Sequence, residues 1–393
     1  MALDEFDTTP RQDTPALSRH KKSFVAVANL KHISRDLTTS QGIKIENHVG
    51  FTQVPVGLAG PLTINGTYQK CKEVYGPLAT VEPTLVAACS RGCKLFSTCG
   101  GISTSALTEG LSRVPVFVFS TISAAVAFYH RVPDLLGEFK VSAEKTSRHA
   151  VLLSLTPHII GTGVHVKFMY SCGDAAGQNM VTLGTHATCT DFLSSESRPV
   201  ELIDFQLEGN ISSDKKLSWG SVHEPRGVSV MAWSTITNDA SLKIMGSSTK
   251  RLKTVLTRIE EGGLRNGNLG QCLNTANVVT AMFIACGQDA ASVLESGWSQ
   301  LTAEVDDETG DLTLSLFFPS LLVGTVGGGT GYATQKEALD LIGCSGEGKK
   351  WAFAETVAAF ALALEASTLA ALANDTFAAS HKTLARDGKL SKL

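Results

Sequence analysis

Asp289 and Lys215, far apart in the sequence, could form one charged site. Asp289 follows residues 278–285, an apolar run that predicts a helix buried on every side. An ionised carboxylate at such a place is costly without a cation, so we expect a cationic partner. Lys215 is the natural candidate, because a lysine on a polar loop can place its ammonium against a developing oxyanion. The alternatives are a solvated aspartate at a helix end and a solvated loop lysine.

Glu82 is a third candidate for chemistry. It precedes Pro83, which suits the first turn of a helix, and Arg91 and Lys94 follow two to three turns later. A carboxylate at a helix start can also serve only as a cap. The sequence therefore places an acid and two cations on one predicted helix and leaves the role of the acid open.

A second set of residues could bind a phosphorylated cofactor. Residues 171–180 form a glycine-containing turn that opens a predicted helix, where free backbone N–H groups suit a phosphate. The turn lacks the spacing of a Rossmann motif. Ser147 and Arg148 have the chemistry to hold a ribose 2′-phosphate. The glycines of residues 324–330 leave room for a ligand to approach, although glycine loops alone are weak evidence.

Composition narrows the class of protein. The 393 residues carry a net charge of −3 and no long basic run, so the chain is not expected to bind nucleic acid. Nine cysteines without C-x-x-C spacing argue against disulfides and structural zinc and favour a reducing compartment. We expect no membrane segment, since the apolar stretches contain prolines, glycines and hydroxyls. The terminal Ser391-Lys392-Leu393 predicts peroxisomal delivery, with a cytosolic protein as the alternative.

The elements that must position these residues can be read coarsely. Residues 116–119, 149–155 and 164–170 predict strands and residues 179–193 a helix, which together suggest a small α+β domain inserted into a larger one. Residues 222–261 are predicted to be mostly helical. Further along, residues 312–322 predict a strand and residues 351–373 a closely packed helix.

The ordered motifs resemble one family. E-N-x-x-G-F with P-V-G-L-A-G-P-L comes first, then A-T-V-E, G-D-A-A-G-Q-N-M, S-D-K-K, A-C-G-Q-D-A-A, G-T-V-G-G-G-T and a late S-H. This collinear set, over residues 45–385, is similar to 3-hydroxy-3-methylglutaryl-CoA (HMG-CoA) reductases, and the connection ending in Asp-Lys-Lys resembles the eukaryotic-type (class I) form.

The resemblance implies an α+β fold. It predicts an N-terminal arm with a small helical region (1–45) and a large, mostly helical, discontinuous CoA domain (46–114 and 218–393). An inserted ferredoxin-like NADP-binding domain (115–206) and a connecting loop carrying the catalytic lysine (207–217) complete the chain. It also implies an obligate dimer or tetramer with active sites at the subunit interface and the E-N-x-x-G segment at the dimer contact.

The resemblance also implies roles for individual residues. The reaction would be the NADPH-dependent reduction of HMG-CoA, or of a related acyl-CoA, with catalytic residues Glu82, Lys215, Asp289 and His381. The residues that match cofactor contacts are Ser147, Arg148, Asp174, Ala175, Gly177, Asn179, Gly324, Thr325, Val326, Gly327 and Gly328. The residues that match substrate or CoA contacts are Arg91, Arg113, Asp214, Lys216 and Asn277, with Arg258 near the place of a lysine that the family has and this chain lacks.

Departures from the family pattern cluster on the substrate side. Glu208 stands where the family has serine and would bring an extra acid close to an anionic substrate. Ala88 also replaces a serine. Three hypotheses follow: an HMG-CoA reductase, specialised or inhibitor-resistant; a reductase of a related acyl-CoA thioester; and a CoA-binding paralogue that no longer turns over. The retention of all four chemical residues favours the first.

Overall fold

A computed structural model describes residues 43–70 and 72–376. The chain divides into two compact units, residues 1–55 and 56–393. In the described part of the first unit the rings of His48 and Phe51 meet edge to face, with centroids 5.0 Å apart. The predicted arm, His381 and the terminal tripeptide lie mostly or wholly outside the described residues, and the division into four domain segments remains a prediction.

The described part of the second unit is built on one ten-stranded sheet. Its central path runs β7-β4-β6-β3-β8-β10-β9, while β1 pairs with β2 and β3, and β5 pairs with β6. The strands are β1 (Val56–Gly66), β2 (Lys72–Ala79), β3 (Ile102–Arg113), β4 (Val116–Phe119), β5 (Val151–Ile160), β6 (Gly163–Ser171), β7 (Leu202–Gln206), β8 (Gly227–Ile236), β9 (Gln300–Val305) and β10 (Leu312–Leu321).

Helices cover this sheet and connect its strands. They are α1 (Leu85–Thr98), α2 (Ile122–Arg131), α3 (Leu136–Glu144), α4 (Gln178–Leu193), α5 (Trp219–His223), α6 (Asn238–Ala240), α7 (Thr249–Asn266), α8 (Thr275–Ala285), α9 (Val293–Ser296), α10 (Ala333–Leu341) and α11 (Lys350–Ala373), with short 3-10 turns at Val132–Leu135, Ala290–Ser292 and Gly328–Gly331 and a π-turn at Ser241–Met245. The fold is therefore mixed α/β on a largely antiparallel sheet.

The large part combines the expected helices with six strands, namely β1, β2, β3, β8, β9 and β10. Strand β8 lies within residues 222–261, where a helix was expected, and pairs along its length with β3 and β10. Its sequence, G-V-S-V-M-A-W-S-T-I, places apolar side chains at every second position, and Val228, Val230 and Ala232 are fully buried. Alternation with a period of two is typical of a strand with one face in the core. The helical periodicity comes from the later α7.

A smaller unit within the sheet follows the predicted alternation of strands and helices. Strands β7, β4, β6 and β5 adjoin in that order, all antiparallel, and α2, α3 and α4 connect them. This β-α-β-β-α-β succession is that of a ferredoxin-like unit. Its core is aromatic: Phe117, Phe128, Phe139 and Phe192 form stacked, tilted and edge-to-face pairs with centroids 5.1 to 6.3 Å apart. The long strand β3 belongs to both parts, since it pairs with β8 and then with β6.

Helix α11 runs through the core of the large part. Among the described helices it alone is long and apolar enough to span a membrane, but nearly all of it is buried inside the protein. It also carries two fully buried glutamates that accept backbone N–H groups: Glu355 from Thr67, Tyr68, Gln69 and Ala106, and Glu365 from Leu273 and Asn274. These contacts identify α11 as a core helix that fixes the turns packed around it.

Candidate active site

Lys215 and Asp289 meet as predicted from the sequence. The Lys215 ammonium lies 2.9 Å from Asp289 Oδ2, and Asp289 Oδ1 accepts the Ala291 N–H at 3.1 Å. The pair is partly open to solvent, with side chains 45% and 39% exposed, so the expectation of a buried carboxylate is wrong. The hydrogen bond that the Lys215 ammonium donates to Asp289 is the main cause that raises the pKa of Lys215, against a smaller opposing effect of burial. The lysine is therefore held as a cation that faces solvent-accessible space.

The loop that carries Lys215 has an unusual backbone. Asn210, Ser213 and Lys215 all adopt left-handed conformations, with φ of 65°, 61° and 53°. Residues other than glycine seldom adopt this left-handed backbone conformation, so neighbouring contacts must hold the loop in place. Ser213 contributes one such contact through the hydroxyl of Ser218, 2.6 Å away.

A buried charge network holds the residue next to the lysine. Arg226, 2% exposed in its side chain, forms ion pairs with Asp214 and with Glu295, the latter at 3.3 Å. It also donates to the backbone oxygens of Ser112 and Ser212. Burial alone would raise the pKa of Asp214, but the two guanidinium groups of Arg226 and Arg113 outweigh it and lower that pKa. The network thus fixes the backbone immediately before Lys215.

Glu295 connects this network to the other half of the charged pair. It is fully buried on α9, six residues after Asp289. Burial raises the pKa of Glu295, and its own backbone amide, Arg226 and the backbone amide of Lys215 oppose that rise. One short segment therefore supplies both the carboxylate that pairs with the lysine side chain and the carboxylate that supports its loop.

Sequence reasoning missed Arg226 and Glu295. The available signal was weak: a lone glutamate among apolar and small residues in A-S-V-L-E-S-G and a lone arginine before strand β8. Charged residues are almost never fully buried without a partner. The two residues are 69 positions apart, so the sequence did not show that they meet.

Glu82 lies at the other end of helix α8. Its two carboxylate oxygens accept from Asn277 Nδ2 at 3.2 and 2.9 Å. Glu82 is exposed and precedes α1, whose first residue is Leu85, so it does not lie within the helix. The cap residue Thr84 is left-handed, with φ 81°, and accepts no side-chain capping bond. Asn277 is thus the described contact that orients Glu82.

The two carboxylates are well separated within one chain. Asn277 lies in the first turn of α8, and Asp289 lies four residues beyond the helix end at Ala285. The 11 residues of α8 span about 16 Å. The Glu82 contact and the Lys215 contact therefore occupy opposite ends of this buried helix.

A cavity and a groove adjoin the Glu82 end. The cavity, of about 260 Å³, is lined by Glu82, Asn277 and Arg91 among others. Arg91 donates to Ser367 Oγ at 3.0 Å and to its backbone oxygen at 2.7 Å, and burial lowers the pKa of this arginine. The groove, of about 1060 Å³, runs along α1 and is lined by three cations, Arg91, Lys94 and Lys243. It is also lined by Ala88, which replaces a serine of the family pattern. This region could hold a long anionic ligand.

A glycine-lined cleft adjoins the Lys215 end. It has a volume of about 650 Å³ and lies between residues 175–180, which lead into α4, and residues 324–330, with Asp289 on its wall. Helix α4 begins after Gly177, which is left-handed and provides no side-chain cap. Gly327 and Gly328 also have positive φ, and a Cβ at either would meet nothing within 4 Å. The cleft thus offers helix-end N–H groups and open backbone beside a carboxylate.

Most predicted cofactor residues line this cleft. They are Ala175, Gly177, Asn179, Gly324, Val326, Gly327 and Gly328. Ser147 contacts it indirectly, because its hydroxyl lies 3.3 Å from Met180 Sδ, and Met180 lines the cleft. Arg148 is exposed.

Two predicted cofactor residues have internal contacts instead. The Asp174 carboxylate accepts the backbone N–H groups of Gly348 and Lys350, at 2.8 and 3.2 Å. The Thr325 hydroxyl donates to Gly346 O at 2.7 Å. Both residues therefore connect their segments to residues 346–350.

The predicted substrate residues are divided among these places. Asp214 and Arg113 belong to the charge network, and the exposed Lys216 donates to the backbone oxygen of Asp214 at 3.1 Å. Arg91 and Asn277 lie at the Glu82 end. Arg258 is exposed on α7 and lines none of the three cavities described.

Comparison with known proteins places this chain in a family. Residues 14–386 match the sequence model of hydroxymethylglutaryl-coenzyme A reductase. The chain belongs to the HMG-CoA reductase family. Similar curated relatives are the HMG-CoA reductases of Haloferax volcanii, 39% identical over 87% of this chain and 85% of the relative, and of Methanocaldococcus jannaschii, 34% identical over 93% and 90%.

Solved structures show the same fold. A class II HMG-CoA reductase from Streptococcus pneumoniae bound to NADPH superposes with a TM-score of 0.67, at 18% identity, over 91% of this chain and 97% of the other. At this identity the likeness concerns the fold. The class I interpretation drawn from the Asp-Lys-Lys connection remains a prediction.

The relatives correct one prediction. The tripeptide Ser391-Lys392-Leu393, which lies outside the described residues, predicted peroxisomal delivery. Similar relatives include archaeal enzymes, such as that of Halobacterium salinarum at 34% identity over 98% of the chain, and these lack a peroxisomal signal. The peroxisomal prediction is therefore wrong, since a three-residue match is its sole basis.

Proposed function

We propose that the chain catalyses the reduction of HMG-CoA by two NADPH to mevalonate and free CoA, the step that forms an isoprenoid precursor. The observation that carries this proposal is the Lys215–Asp289 ion pair, whose aspartate lines the glycine-lined cleft. A cation held beside a cofactor-sized cleft is what reduction of a thioester carbonyl requires, because each hydride addition creates negative charge on the carbonyl oxygen.

In this proposal each catalytic residue has one task. Lys215 stabilises the oxyanion, and Asp289 keeps the lysine protonated and oriented. Glu82 protonates the reduced oxygen, while Asn277 holds its carboxylate. His381, which lies outside the described residues, protonates the departing CoA thiolate, a task suited to a group that titrates near neutral pH.

The glycine-lined cleft fits NADPH. Each bound NADPH would supply one hydride, so the full reduction uses two NADPH in turn. The N-terminus of α4 and the open backbone at Gly327 and Gly328 suit its pyrophosphate. Ser147 and the exposed Arg148, near the Met180 end of the cleft, suit the ribose 2′-phosphate that distinguishes NADPH from NADH. The long groove beside α1, with Arg91, Lys94 and Lys243, suits the phosphates of CoA.

We further propose that the active site is completed by a second copy of the chain, in a dimer or tetramer. The supporting observation is that Glu82 and Lys215 lie at opposite ends of α8 within one chain. Each half-site needs the other half from a neighbour. The segment E-N-x-x-G at residues 46–50 is the proposed contact.

The test of the function uses purified protein, NADPH and a panel of acyl-CoA thioesters. We expect two NADPH to be oxidised per HMG-CoA, with mevalonate and free CoA as products. Oxidation with a different thioester alone would favour the related acyl-CoA reductase, and binding without oxidation would favour a non-catalytic paralogue.

The test of the shared site is complementation between two inactive variants. Glu82→Gln and Lys215→Ala protein, unfolded and refolded together, should regain up to about a quarter of the parent activity, because half of randomly formed dimers are mixed and each mixed dimer has one intact site. Refolding each variant alone is the control. No gain on mixing would show that both groups act within one chain.

A further inference from the structure

Glu208 forms an ion pair with Arg113, the arginine assigned to the substrate. Its Oε2 lies 3.1 Å from Arg113 NH1, and its Oε1 accepts the Asn210 N–H at 2.7 Å. The side chain is 28% exposed and is held through both oxygens. An acid fixed in this way presents its carboxylate to Arg113 continuously.

The NH1 nitrogen of Arg113 has no donor left for another carboxylate, while the buried Nε of Arg113 has no hydrogen-bond partner among the described residues. Its NH1 nitrogen has two N–H donors, and Glu208 and Asp214 take both, at 3.1 and 3.3 Å. NH2 donates to Thr182 Oγ1 at 2.9 Å. The side chain is only 10% exposed, so the guanidinium cannot swing away. A further carboxylate at NH1 must displace one that is already there.

The local charge balance points the same way. Two guanidinium groups, Arg113 and Arg226, face three carboxylates, Glu208, Asp214 and Glu295. Asp214 and Glu295 neutralise the charge of Arg226, whose side chain is buried. Glu208 is the one acid of the three that contacts Arg113 without also contacting Arg226, and its side chain is partly exposed, as is that of Asp214. It is therefore the member that a substrate carboxylate can replace.

We propose that Glu208 is an internal competitor for the substrate carboxylate. It occupies Arg113 in the free protein and weakens binding of acyl-CoA thioesters that carry a free carboxylate, while thioesters without one are unaffected. The inference rests on the proposed function in that it assigns Arg113 to the acyl end of the substrate. It makes Glu208 a specificity-determining residue rather than a group that takes part in the reduction.

The experiment compares Glu208→Gln with a matched control, Glu224→Gln. Both changes remove one negative charge from a glutamate that pairs with a cation, but Glu224 pairs with Lys167 and does not contact Arg113. Calorimetry measures Kd for HMG-CoA and for butyryl-CoA, which has no free carboxylate, and steady-state kinetics gives KM and kcat with HMG-CoA. Thermal unfolding checks that each variant folds. If Glu208→Gln does not fold, Glu208→Ala is used in its place.

We expect HMG-CoA to bind about tenfold more tightly to Glu208→Gln, the size of one charge-assisted hydrogen bond regained. KM should fall in parallel, kcat should stay within about twofold, and the Kd for butyryl-CoA should not change. Equal changes for both thioesters, no change in either, or the same gain in Glu224→Gln would overturn the proposal. If the parent oxidises no NADPH with HMG-CoA, the proposed function fails, while the Kd comparison still decides the role of Glu208.

Discussion

The two ends of helix α8 are built differently. At the C-terminal end Lys215 pairs with Asp289, and its loop is fixed by the buried contacts among Arg226, Asp214 and Glu295. At the N-terminal end Glu82 is exposed and is oriented by the single amide of Asn277. The cation is thus preorganised by its own chain, whereas the acid is not.

This difference indicates what each group must do. An oxyanion-stabilising cation is effective only if its position does not change when charge develops, so a rigid surrounding is needed. A proton donor must also gain and lose its proton, which an exposed position permits. The predictions below test whether rigidity and function divide in this way.

The largest effect is expected from Lys215→Ala. Removing the oxyanion-stabilising charge should reduce kcat about 1,000-fold. Because the lysine side chain is nearly half exposed, the midpoint of thermal unfolding should change little. Stopped-flow or steady-state NADPH oxidation measures the rate, and Lys250→Ala, on the exposed surface of α7, serves as the control. A variant as fast as the parent would show that the cation lies elsewhere.

Glu82→Gln should reduce kcat about 100-fold, since the amide keeps the contact with Asn277 but cannot donate the proton in the same way. Its unfolding free energy should match that of the parent, because the side chain is exposed. Denaturant titration and NADPH oxidation test the two statements separately. A large loss of stability would contradict the view that this end of α8 is loosely supported.

Glu295→Gln should change the position of Lys215 without removing a group that reacts. We expect about a tenfold lower kcat with unchanged KM for NADPH, because the loop that carries Lys215 shifts. Breaking the buried pair with Arg226 should also cost about 3 kcal/mol of unfolding free energy. Glu295→Asp, which keeps the charge, should recover part of the rate. If stability falls and kcat per folded molecule does not, the network supports only the fold.

The smallest expected effect is a shift in pH dependence. Asp289 raises the pKa of Lys215, so in Asp289→Asn that pKa should fall towards the ordinary lysine value of 10.5. The alkaline limb of the kcat profile, where the lysine loses its proton, should then move to lower pH. Measuring the residual activity of the variant across the alkaline range tests this. A limb at the parent position would mean that Lys215 does not control it.

Local patterns predicted the parts of the fold in which one residue run decides the structure. The apolar run of α8, the alternation of β10 and the alanine-rich α11 lie where the sequence indicated. The β8 strand was missed because its alternation adjoins a strongly amphipathic helix, and the longer helical pattern dominated. Pairing depends on neighbours distant in sequence, which no local window contains.

The site was predictable to the same extent. The Lys215–Asp289 pair followed from an unpartnered acid at the end of an apolar run, although the acid is more exposed than that reasoning assumed. The contact of Asn277 with Glu82 and the Arg226–Glu295 pair join residues 195 and 69 positions apart, so only the folded chain shows them. Likewise, Glu208 was suspected as an extra charge, but its hold on Arg113 is a matter of three-dimensional geometry.

The left-handed backbone of Lys215 has a consequence for protein engineering. At φ 53° a lysine is disfavoured by about 1 kcal/mol relative to glycine or asparagine. Selection of random variants for heat resistance alone would therefore favour glycine or asparagine at position 215. The resulting protein would be more stable but inactive. Engineering for higher thermal stability should therefore keep Lys215 unchanged.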